Sequence, residues 1–186
     1  DEIPGFLGKI AILGLGYGMG WSKLSLTLLA GAMGGPPVTL TQKDADTLGV
    51  DVDLFLADKR KAKAVVKMVS RLPLEQLVVH CACAEKIVQT YRKANKPIKD
   101  LWKLMDAVLD VMNEAGDTEQ FTFGPNECLT IVRHGIILPN GLQLRYPGLT
   151  KRQRPPEDED DDWIRFHWTY QGAHKRAHTY GGSMLE

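Results

Sequence analysis

The sequence predicts an α+β fold, mostly helical at first and then built of β-hairpin segments. Three observations carry this expectation. Apolar side chains recur at helical spacing between recognisable cap residues through residues 41–116. Short β-branched and aromatic runs with turn dipeptides between them replace that pattern after Gly116. Helices precede strands, without the regular strand–helix alternation of a doubly wound sheet. The expected division is a helical part at 1–116 and a β-rich part at 117–186, which includes a charged, acidic loop at 151–162.

Each element has a local reason. Thr41-x-x-Asp44 is a capping-box start for a short helix ending near Gly49. A helix over residues 53–70 carries Lys59, Arg60, Lys61, Lys63 and Lys67. Pro73 suits a first helical position, and apolar residues recur from Leu74 to Val88. Pro97 opens another helix, whose buried stripe is Ile98, Leu101, Leu104, Met105, Val108, Leu109 and Met112 and whose end is Gly116. Residues 128–132 and 136–138 read as strands. Asn140-Gly141 is a two-residue hairpin dipeptide, and residues 142–146 form the returning strand. Residues 151–162 hold two prolines and six consecutive acids, which predicts a solvated loop. The alternating run at 163–170 resumes the sheet.

Composition sets the bounds. The chain has 186 residues, 44% hydrophobic and 25% charged, which is ordinary for a globular protein. No apolar run reaches the roughly 18 residues of a membrane helix, so no membrane partner is expected. Lys and Arg total 23 and so do Asp and Glu, so net charge alone gives no nucleic-acid signature. Cys81, Cys83 and Cys128 lack the spacing of a zinc ribbon or disulfide framework. On a helix Cys81 and Cys83 point about 200° apart and cannot share an ion, so reduced, packed thiols are expected. No metal ligands are expected in the chain.

Residues 9–20, KIAILGLGYGMG, admit two readings. The first is a strand and glycine turn of a NAD(P)-binding Rossmann-type oxidoreductase. Its fingerprint fails at the third glycine, where Met19 or Trp21 stands, and strand–helix alternation does not follow. The second places the stretch on a helix, where Lys9, Leu13 and Tyr17 fall within about 80° of arc as one stripe. A cation, an apolar residue and a phenol in a row suit a triphosphate, a sugar and a base. Four glycines would cost such a helix roughly 4 kcal/mol relative to alanine. A buried glycine-rich packing helix remains the plain alternative.

Lys9-x-x-x-Leu13-Gly14-x-x-Tyr17-Gly18-Met19 resembles the conserved fingers helix of family A DNA polymerases, the bacteriophage branch in particular. Tyr91-Arg92 through Pro97-Ile98 to Leu101-Trp102 is similar to the family's later fingers helix. Leu138 to Leu142, Arg145 to Leu149 and then Thr179-Tyr180-Gly181-Gly182 resemble the phage branch as the chain re-enters the palm. The resemblance implies a DNA-directed DNA polymerase, with helical fingers at 1–116 and a palm-proximal segment at 117–186. It gives Lys9 a catalytic contact to the incoming dNTP triphosphate, where placed cations accelerate phosphoryl transfer. It sets Leu13 against the incoming sugar, Tyr17 near the nascent pair or template base, and Gly18 where the template approaches.

Departures accompany the likeness. Gly5 stands where many members have a second triphosphate-binding arginine, and Gly16 replaces a bulky apolar residue. The family's metal-binding aspartates lie before and after the fingers, and neither motif is present. The resemblance therefore implies Mg2+ in the complete polymerase, held by ligands outside this chain, and a chain inactive by itself. Implied partners are primer–template DNA, dNTP and the palm and thumb portion; the implied location is the cytoplasm, that of the host cell if viral. Arg145, Lys175 and Arg176 are candidate contacts to the DNA backbone. A non-catalytic DNA-binding module is the remaining alternative. His134, His167, His174 and His178 are too scattered to support a catalytic triad.

Overall fold

A computed structural model of the chain describes residues 8–16, 18–31, 35–154, 165–180 and 184. The fold is α+β: among these residues, helices occupy the chain up to Glu114 and two antiparallel sheets follow. The change from helix to strand near Gly116 matches the sequence pattern. The compact units, however, part at Ile98/Lys99, giving 1–98 and 99–186.

In the first unit, residues 8–10 are α-helical and continue as a wider π-helical turn, Ala11–Leu15. Helices α1 (Trp21–Ala30), α2 (Gln42–Leu48), α3 (Val52–Ala57), α4 (Lys59–Lys67) and α5 (Leu74–Ala94) follow. The capping box opens α2 as expected: the Thr41 backbone N–H and hydroxyl both donate to Asp44 Oδ2, at 2.7 and 2.8 Å. The helix expected over 53–70 is two helices. Asp58 breaks it, because its extended backbone starts a new cap and its carboxylate accepts from the Arg60 and Lys61 N–H groups. Pro73 is the residue before α5 rather than its first helical position.

α5 is the hub of this unit. Cys83, Ala84 and Val88 pack with Ile10, Leu15, Leu24, Leu28, Val38 and Leu40 in one core cluster. Leu77, Cys81 and Ala82 pack with Phe55 and Val65 in another. Trp21 meets the Phe55 ring edge-on at 5.4 Å. The thiols of Cys81 and Cys83 are free and buried, as expected, and Cys128 is free and exposed. Burial pushes both buried thiols up, Cys83 to about 11. His80 is fully buried between two backbones. The Leu40 N–H donates to Nδ1 at 2.9 Å, so the ring proton sits on Nε2, 3.1 Å from the Ser25 carbonyl.

In the second unit, α6 (Lys96–Glu114) packs on strands from both sheets through Met105, Val108, Leu109 and Met112. This packing explains why α6 belongs with the strands that follow it. The buried stripe is shorter than expected: Leu101 and Leu104 are 40% and 47% exposed and border an apolar cavity of about 510 Å3 with Phe123 and Leu144. The first sheet runs β1 (Phe121–Phe123), β2 (Leu129–Val132), β3 (Gly135–Ile137) and β4 (Gln143–Arg145) in chain order. The turn joining β3 to β4 differs from the two-residue form expected. The Leu138 N–H donates to the Leu142 carbonyl, leaving Pro139, Asn140 and Gly141 as a three-residue loop. Of these three only Gly141 has a positive φ, +80°, whereas a two-residue type I′ turn needs two.

The second sheet is β5 (Thr150–Arg154), β6 (Arg165–Gln171) and β7 (Arg176–Thr179), in that order. β5 corrects the expected loop at 151–162: residues 151–154 are paired strand, and residues 155–164 lie outside the described residues. Composition misled because strand formation here follows pairing and not local apolarity. Lys151 illustrates how a charged residue is accommodated. Its ammonium lies 5.2 Å from the Trp168 ring centroid and forms a 2.6 Å ion pair with Asp110 of α6.

Candidate functional site

The candidate site is the helical segment at 8–15 and the glycine-rich turn after it. Ile10 and Leu15 are buried in the α1–α5 core, whereas Lys9 is exposed, Ile12 is 68% exposed and Leu13 44% exposed. The segment therefore has an inward apolar face, and Lys9 and Leu13 lie on the outward one, four residues apart. No ion pair joins Lys9 to another described residue. Tyr17, the third member of the expected stripe, lies outside the described residues.

The turn is fixed by close backbone approach. A Cβ on Gly16 would stand 2.5 Å from the Ile12 carbonyl oxygen and 3.4 Å from the Tyr91 hydroxyl. Gly18 has φ +86°, a conformation that disfavours any side chain. The Met19 N–H reaches back to the Gly14 carbonyl at 3.1 Å and the Gly18 N–H to the Leu15 carbonyl at 3.2 Å, the pair of bonds that closes a helix at a left-handed glycine. From α5, the Arg92 guanidinium donates long hydrogen bonds to the Gly18 and Met19 carbonyls, at 3.4 and 3.3 Å. Tyr91 packs on the core that buries Ile10 and Leu15. Sequence inspection marked Tyr91-Arg92 only as a likeness; their contact with the glycine turn depends on a separation of more than seventy residues and has no local signal.

The other candidates are dispersed through the second unit. Arg145 is exposed on β4, where its Nε donates to Gln143 Oε1 at 3.1 Å. Lys175 and Arg176 stand at the start of β7 in the other sheet, so Arg145 and the pair do not share a strand or a ladder. His167 and His178 approach, with ring centroids 5.0 Å apart, while His134 lies in the β2–β3 turn and His174 in the β6–β7 connection. Among the described residues no three His, Cys, Asp or Glu side chains gather to hold a metal. The acidic run at 157–162 lies outside those residues. None of the described helices is long and apolar enough to cross a membrane.

Comparison with known proteins yields no match: no family model fits the chain, and no curated protein or solved structure is significantly similar to it.

Proposed function

We propose that the chain is the fingers part of a family A DNA polymerase of bacteriophage type. In this role it binds the incoming dNTP and the template, while palm carboxylates on other segments hold Mg2+ and carry out transfer in the host cytoplasm. The observation that carries the proposal is the outward stripe of Lys9 and Leu13 on a helical turn within the polymerase-like motif. An exposed ammonium with no ion pair among the described residues can meet a triphosphate without first giving one up. The exposed Leu13 offers an apolar surface one turn further on. The positions of Gly18 and Tyr17 in the motif assign them to the approach of the template and to base stacking.

The helical winding of residues 8–15 also weighs against the NAD(P)-binding alternative, which needs a strand leading into its glycines. Both described sheets are antiparallel, and neither contains a strand–helix–strand crossover.

The test uses the polymerase assembled from this chain and its palm. Lys9→Ala should lower the rate of incorporation by about 10²–10³, the usual effect of deleting one group that stabilises transition-state charge. An unchanged rate would remove the assignment. Leu13→Phe should change the ratio of dideoxynucleotide to deoxynucleotide use, and an identical termination pattern would count against this register.

A further inference from the structure

We propose that His167 and His178 together hold a divalent transition metal ion that prefers imidazole nitrogen, such as Zn2+, on the solvent face of the β5–β6–β7 sheet. The register brings the two together. Thr169 stands opposite His178 on the neighbouring strand, and His167 lies two residues before Thr169. Side chains two residues apart on a strand share a face, so the two imidazoles form a diagonal pair on one side of the sheet. The other face is the packed one, where Trp168 is 5% exposed and Tyr170 joins the core.

Two observations point to a metal rather than to a stacked aromatic pair. First, the spacing fits. Metal–nitrogen bonds of about 2.1 Å, set at roughly 90–110° to each other, put the centroids of two ligating imidazoles about 5 Å apart. The observed separation is 5.0 Å. Rings held by their own attraction favour offset-parallel or edge-on arrangements, and the 47° between these planes is neither. Two ligands of one ion carry no such restriction, because each ring can turn about its own metal–nitrogen bond. Second, His167 Nδ1 is buried with no hydrogen-bond partner among the described residues. A buried ring nitrogen left unpaired is unfavourable, and a bond to a metal satisfies it. Nδ1 is therefore the atom of His167 assigned to the ion.

The surroundings select the class of ion. β5, β6 and β7 contain no Asp or Glu, and the exposed Arg152 stands opposite His167. A neighbouring guanidinium works against every cation, so binding must rest on the nitrogen bonds themselves. Mg2+ and Ca2+, which need oxygen ligands, are excluded on that ground, whereas imidazole suits Zn2+. His178 is exposed and gives the ion a route from solvent. Among the described residues no third His, Cys, Asp or Glu joins the pair, so the other coordination positions fall to water. The site is independent of the polymerase reading and of the Mg2+ that reading implies.

The experiment is a Zn2+ titration of the untagged 186-residue chain, alkylated at Cys128 so that its exposed thiol does not compete. Calorimetry reads the affinity, and the imidazole proton resonances read the location. One ion should bind, and of the five histidines only His167 and His178 should shift. His167→Gln and His178→Gln should each weaken binding at least about tenfold, the lower end of the loss seen when even an outer partner of a metal ligand is changed. His134→Gln, in the β2–β3 turn, should leave it unchanged. His178 is exposed, so its variant tests the site even if His167→Gln disturbs the strands. Unchanged affinity in His178→Gln, with an unaltered circular dichroism spectrum, would overturn the proposal. So would equal shifts with Mg2+, or a response centred on His134 or His174. Lys9→Ala should leave Zn2+ binding intact while reducing nucleotide incorporation, so the two proposals fail separately.

Discussion

Replacing His80 by glutamine should flatten the acid side of the stability profile of the first unit. His80 is fully buried, and its Nδ1 accepts the Leu40 N–H at 2.9 Å. A proton on Nδ1 would turn that acceptor into a donor facing another donor. Burial holds the His80 pKa below the ordinary value of 6.5, with the Ser25 carbonyl contact opposing part of the shift. A depressed folded pKa means that the unfolded chain binds a proton first as pH falls. Stability from His80 is therefore fully present above 6.5 and declines below it, by up to about 1.4 kcal/mol per pH unit, until the folded pKa is reached. Asp44, whose pKa is lowered by its hydrogen bonds to Thr41, acts in a lower window beginning near 3.8. Glutamine does not titrate. At worst it leaves the Leu40 N–H unsatisfied, which costs about 1–3 kcal/mol at neutral pH. Urea denaturation at several pH values, with amide exchange of Leu40, measures both effects. Parallel pH profiles for wild type and His80→Gln between 7 and 5 would refute the argument.

The remaining predictions concern the glycine turn and the thiols. Gly16→Ala should destabilise the first unit by about 2 kcal/mol, because the new Cβ meets the Ile12 carbonyl, a backbone atom that cannot move aside; the midpoint of thermal unfolding measures it. Under the proposed function the same variant should also weaken nucleotide binding, and binding at the wild-type level would separate the turn from the site. Iodoacetamide should modify Cys128 alone in the native chain and all three cysteines in denaturant, as read by mass spectrometry. The reason is that Cys81 and Cys83 are buried with raised pKa values.

Helix caps were legible because their chemistry is local. Thr41 and Asp44 are three residues apart, and the pattern that predicts their bonds is the pattern that makes them. The break at Asp58 was locally encoded too, but the long basic run around it resembled one continuous helix. Strand β5 was not legible, because Lys-Arg-Gln-Arg becomes a strand only once β6 pairs with it and Trp168 supports Lys151. The short stripe of α6 shows the opposite limit: Leu101 and Leu104 keep helical spacing, yet no described residue covers them fully. For the site, spacing placed Lys9 and Leu13 on one face correctly. The staple from Arg92 to the turn needed three-dimensional contact.

The glycines illustrate how far a local cost estimate depends on where the helix stops. Charging all four against a helix gives roughly 4 kcal/mol, which argues against a helical site. The described helical winding ends at Leu15, so only Gly14 carries that cost, about 1 kcal/mol. Gly16 and Gly18 lie beyond it, where close approach to Ile12 and a positive φ make glycine the favourable residue. Gly20 precedes α1 in extended conformation, where glycine is an acceptable cap. The two closing bonds, Gly18 N–H to the Leu15 carbonyl and Met19 N–H to the Gly14 carbonyl, add the last step, because they need the left-handed backbone that Gly18 supplies. The feature that weakened the helical reading in the sequence thus becomes the means by which a short helix that exposes Lys9 and Leu13 is brought to its end.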